Sequence, residues 1–91
     1  MATKPNEAAP WSNLARTLKQ QGELDLAQRA YASAFDAERS NAQILWDRAR
    51  LLQQLGRDEQ ARKLYRQIAE GTWPRQFNGV RAQARRYLGL R

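Results

Sequence analysis

Arg75, Arg81, Arg85, Arg86 and Arg91 fall within the segment 71–91, which contains no acid. Guanidinium groups grip carboxylates and phosphates through paired hydrogen bonds. This tail is therefore a candidate surface for an acidic protein, a nucleic acid or a membrane. Its plainer role is the solvated face of a terminal helix. Catalysis finds little to work with. The chain has no His and no Cys, which removes the usual base at neutral pH, the thiolate nucleophile and the commonest metal ligands. Asp47, Asp58 and Glu59 remain, without a Gly-rich phosphate loop. Asp58 and Glu59 are neighbours, and neighbouring side chains on a helix diverge. They fit the first turn of a helix, where the backbone dipole favours acids, better than a paired acid and base. The expectation is a protein that is not an enzyme and uses no cofactor or metal.

The net charge of +7 points to an anionic partner without saying anything about fold. A single domain of 91 residues buries only roughly 60–65% of its unfolded surface, so modest stability is expected. The opening MATKPNEAAP has no apolar core of a secretory leader. No apolar run approaches the roughly 20 residues of a membrane span, and a cytoplasmic protein is expected.

The elements that must position these side chains come from a repeat. Sliding the sequence by 34 residues aligns Ala15 with Ala49, Arg16 with Arg50, Leu18 with Leu52 and Gln20 with Gln54. The same shift aligns Gly22 with Gly56, Ala27 with Ala61 and Tyr31 with Tyr65. A fixed period of this size marks stacked helix pairs. Trp11, Leu14, Ala15 and Leu18 share one face of a first helix, which Gly22 ends by accepting a left-handed backbone. Leu24, Ala27, Tyr31, Ala34 and Phe35 form the inner face of a second. Ser40 and Asn41 cap a third, which buries Ile44, Leu45, Ala49 and Leu52 and stops at Gly56. A fourth, from about Asp58 to Glu70, buries Ala61, Leu64, Tyr65 and Ile68. The acids of Asp25–Arg29, Asp58–Arg62 and Glu59–Lys63 stand four residues before their bases, the favourable order. Ala15 with Ala27, and Ala49 with Ala61, read as points where the two helices of a pair cross closely.

Downstream, GTWPRQFNG interrupts helix with Gly71, Pro74 and Gly79. Trp73 and Phe77 read as anchors packed under that turn. Val80, Ala84, Tyr87 and Leu88 then trace a final helical face.

These residues resemble the tetratricopeptide repeat family. One unit matches through Trp11, Leu14, Ala15, Leu18, Gly22, Ala27, Tyr31 and Ala34. The other matches through Leu45, Ala49, Leu52, Gly56, Ala61, Tyr65 and Ile68. The resemblance implies an all-α, helix–turn–helix solenoid of about five helices in an antiparallel, right-handed superhelical stack. Residues 1–7 are expected to be a flexible N-terminus. Repeat one should cover about 8–41, repeat two about 42–75 and a capping helix about 77–88. Arg48 stands where the family usually has Leu, so its stem is expected to lie along the surface with the guanidinium in water. Arg39 replaces the usual Pro between units.

The resemblance further implies a concave wall made of the first helix of each unit. Ser12, Asn13, Arg16, Lys19 and Gln20 would face it from one unit, and Gln43, Trp46, Asp47, Arg50, Gln53 and Gln54 from the other. Arg16 and Arg50 could receive carboxylates. Trp46 offers either a flat binding contact or packing against the last helix. The chaperone-tail clamp known in this family wants Lys and Asn where Ser12 and Arg16 stand, and Asn where Asp47 stands. Asp47 would repel a carboxylate, which argues against that ligand. The expected function is a binding or assembly module for a protein or peptide partner, acidic in character, held by Asn13, Arg16, Gln20, Trp46, Asp47, Arg50 and Gln53. The rival is nucleic acid on Arg75, Arg81, Arg85 and Arg86. Two units fall below the roughly three usually needed for independent stability, so a weak homodimer is weighed beside a monomer.

Overall fold

The computed structural model describes residues 8–89; the expected flexible stretch 1–7 and Arg91 of the basic tail lie outside them. Five α-helices follow one another: α1 (Ala8–Gln20), α2 (Leu24–Ala37), α3 (Ala42–Gln54), α4 (Asp58–Glu70) and α5 (Asn78–Tyr87). A 3₁₀ turn, Arg75–Phe77, leads into α5. Each helix packs on the next in sequence, and α3 also meets α5. Among the described residues there is no strand.

The same local chemistry closes the first helix of each pair. Gly22 and Gly56 adopt φ of 82° and 78°, a left-handed conformation that costs other residues strain. Glu23 N–H donates to the Leu18 carbonyl and Gly22 N–H to that of Lys19. Arg57 to Leu52 and Gly56 to Gln53 repeat the pattern. This pair of bonds is the Schellman arrangement, which satisfies carbonyls that the helix end leaves open. Asn41 caps α3 by accepting a hydrogen bond from the Gln43 N–H at 3.1 Å.

Packing follows the alanines. Ala15, Ala27, Ala49 and Ala61 are all fully buried, which lets the backbones of each pair approach. Ala15, Ala27, Ala30, Tyr31 and Ala34 form one core with Ile44 and Leu51 of the following unit. Leu45, Ala49, Leu52, Ala61, Tyr65, Ile68, Phe77 and Ala84 form the main part of a second. Phe35 packs against both. Trp73 lies 6.2 Å from Phe35 and donates its indole N–H to the Ile68 carbonyl at 2.8 Å. Gly71 is required there, because a Cβ would come within 2.8 Å of both the Gln67 carbonyl and the Trp73 ring nitrogen.

Several expectations change. Leu14, expected inside, is 44% exposed. Its 34-residue counterpart Arg48 reaches back to the preceding unit, and among the described residues α1 has no preceding unit to meet. Pro10 and Thr17, counterparts of the buried Ile44 and Leu51, are exposed for the same reason. Gly79 interrupts nothing: it lies in the first turn of α5. The pairs Asp58–Arg62 and Glu59–Lys63 do not close; the ion pairs among the described residues are Asp25–Arg29, Asp36–Arg39 and Asp25–Arg57.

Arg48 is likewise half-buried, not free in water. Its Nε donates to Gln28 Oε1 at 2.9 Å, and Gln28 is only 5% exposed. Gln28 Nε2 in turn donates to Asp25, which also takes Arg57 at 2.7 Å and Arg29 at 3.2 Å. This chain of polar groups ties both units together at their turns. The hydrogen bond from Gln28, then that from Arg57, holds the Asp25 carboxyl below the usual carboxylate range. The unfolded chain therefore binds that proton more readily. The network's contribution is whole above about pH 4 and is lost as pH falls through the lowered value. Melting Asp25→Asn beside wild type from pH 6 to pH 2.5 should show a gap that narrows with acid; a constant gap would count against the network.

Candidate functional site

The wall built by α1 and α3 carries two adjoining pockets. In the first, about 410 Å³, Ser12, Arg16 and Lys19 project from α1, Tyr31 from α2, and Asp47 and Arg50 from α3. The spacing explains the convergence: 12, 16 and 19 share one face of α1, as 43, 47 and 50 share one face of α3. Arg16 Nη2 takes a hydrogen bond partner in Asn13 Oδ1 at 3.3 Å. None of Arg16, Lys19 and Arg50 closes an ion pair among the described residues.

Asp47 is half-buried and accepts from Gln43 Nε2 at 3.0 Å. Burial pushes its carboxyl up, against the opposing pull of Gln43 and the cations Lys19, Arg16 and Arg50. Burial also raises the Tyr31 phenol, helped by the Asp47 charge. The pocket thus sets three cations against one carboxylate that is only partly hydrated. Its field favours an incoming anion.

The second pocket, about 380 Å³, is lined by Trp46, Arg50, Gln53, Gln54, Tyr65 and Tyr87. Trp46 meets Tyr65 edge-on with ring centroids 5.0 Å apart. Tyr65 and Tyr87 lie 4.2 Å apart. The Tyr65 hydroxyl donates to Gln53 Oε1 at 2.6 Å, and Gln53 Nε2 donates to the Tyr87 hydroxyl at 2.8 Å. The ring contact of Trp46 is thus with Tyr65 of α4 and not with the last helix, and Trp46 also lines this pocket.

Of the seven wall residues expected to bind a partner, the first pocket gathers Arg16, Asp47 and Arg50, and the second gathers Trp46, Arg50 and Gln53. Asn13 and Gln20 are exposed and line neither. Sequence reasoning missed Tyr31, Tyr65 and Tyr87 as lining residues because it assigned them to packing. The available signal was that each carries a hydroxyl, which a purely filling residue has no use for.

The basic tail is more structural than its charge suggests. Arg81 Nε donates to the Ala69 carbonyl at 3.3 Å. With Trp73 on Ile68, it satisfies the last turn of α4, where a cation suits the dipole. Arg85 is half-buried and shares with Arg81 a depression of about 300 Å³, while Arg75 and Arg86 are exposed.

Among the described residues no group of three or more acids could hold a metal ion. No helix among them is long and apolar enough to cross a membrane. No curated protein and no solved structure matches the chain. A family model described as tetratricopeptide repeat matches residues 18–72, more than half of the sequence. Such repeats are typically non-catalytic modules for protein–protein interaction or scaffolding. The matched span runs from the last turn of α1 through α4 and includes both glycine turns, and the chain belongs to the tetratricopeptide repeat family.

Proposed function

We propose that this protein binds an acidic segment of a partner protein on the wall built by α1 and α3, and does no chemistry on it. One observation carries the reading: Arg16 and Lys19 of one unit and Arg50 of the next converge on a single pocket without closing an ion pair. A carboxylate entering there gains charge-assisted hydrogen bonds at a site already partly shielded from water. Asp47 tempers the field and disfavours a ligand with closely paired carboxylates. A polyanion on the tail has less support, since Arg81 is engaged on Ala69 and Arg85 is half-buried.

The test is an array of acidic, neutral and basic peptides read with fluorescent protein. Wild type should retain acidic peptides. The triple variant Arg16→Ala, Lys19→Ala, Arg50→Ala should lose them by on the order of a hundredfold. Asp47→Asn should tighten binding several-fold, on the order of the ~1 kcal/mol of a partly shielded charge repulsion. Retention that survives in a folded triple variant would rule the pocket out.

A further inference from the structure

The second pocket lies next to the first and shares Arg50 with it. Its chemistry is different. Trp46, Tyr65 and Tyr87 supply aromatic surface, and Gln54 adds an exposed amide. Tyr87 is 43% exposed, yet its ring is fixed at both ends. The face lies against Tyr65 at 4.2 Å, and the hydroxyl is held by Gln53 at 2.8 Å. The Gln53 amide is occupied on both sides, by Tyr65 and by Tyr87, so the arrangement spans α3, α4 and α5. An exposed aromatic held in one pose loses little entropy when a ligand covers it. Fixed Tyr and Trp surfaces are the usual anchors of binding energy.

An incoming cation is a poor occupant, because Arg50 already stands in the lining. Leu14 and Leu26 are also exposed apolar side chains, but neither lines these pockets. Tyr87 alone among the exposed large hydrophobics of the described residues faces the wall.

We infer that the ligand is a peptide in which an acidic and an aromatic residue stand close together: Arg50 holds the carboxylate at the junction while Trp46 and Tyr87 take the ring. This rests on the proposed acidic-peptide site and names the second half of its specificity. The shared guanidinium fixes the spacing, since a ring placed far from the acid would leave one pocket empty.

Four labelled peptides test it, each with a single Glu followed one residue later by Trp, Leu, Ala or Lys. Fluorescence anisotropy should rank them Trp, Leu, Ala, Lys, with Trp over Ala by on the order of tenfold. Tyr87→Ala should cut that preference several-fold, and Tyr87→Phe, which keeps the ring, should retain most of it. Arg50→Ala should weaken all four. Equal affinity for the Trp and Ala peptides would overturn the inference and leave the acidic site standing. An undiminished preference in Tyr87→Ala would do the same. If none of the four bound, the acidic site itself would fall. A melt of each variant separates lost binding from lost fold.

Discussion

Tyr65→Ala is expected to lower the unfolding free energy by about 3–5 kcal/mol, the range for truncating a large buried aromatic. Tyr65 is the largest of the fully buried side chains among the described residues. It packs in the core formed by α3, α4 and α5, meets Trp46 and Tyr87, and holds Gln53. Small domains have total stabilities of roughly 5 kcal/mol upward, so this variant should keep little folded population. Tyr65→Phe separates the ring from the hydroxyl. It retains the packing and loses one hydrogen bond, about 0.5–1.5 kcal/mol. Denaturant titration of both variants checks the split. Equal losses would mean that the hydrogen-bonded chain, and not ring packing, holds the second unit to α5.

Ala61→Leu should cost about 1–3 kcal/mol by overpacking, and Ala27→Leu about the same. Both alanines are fully buried, opposite the equally buried Ala49 and Ala15. Three extra carbon atoms must push the paired helices apart or force a side chain out of its rotamer. In a domain of this size each kcal/mol moves the midpoint by about 4–8 °C, which thermal melts resolve easily. Ala61→Leu should also slacken the Tyr65 end of the second pocket, one turn further along α4. An unchanged melting temperature would mean that the helices do not cross there.

Most of the helical framework was legible because it is written in local chemistry. Apolar residues at helical spacing, Gly22 and Gly56 after the first helix of each pair, and Asn41 ahead of α3 need no knowledge of distant residues. The 34-residue register also located the alanine crossings, since identical residues at identical places imply identical packing. What a helix face meets is another matter. Leu14 and Leu45 look alike in sequence, yet Leu14 is exposed and Leu45 buried, because a face is covered only if another element stands against it. Arg48 was read as solvated because its partner, Gln28, lies on another helix and is itself buried. Arg81 reads as part of a charged patch until α4 ends beside it and presents the Ala69 carbonyl.

The wall of α1 and α3 divides the same way. The sequence by itself determined which residues α1 and α3 offer, because side-chain direction on a helix follows from spacing alone. Only the tertiary structure decided that they form two pockets and that Arg50 serves both. It also decided that three tyrosines belong to the lining. Pocket shape depends on the angle and distance between helices, and these are set by the summed packing of all five.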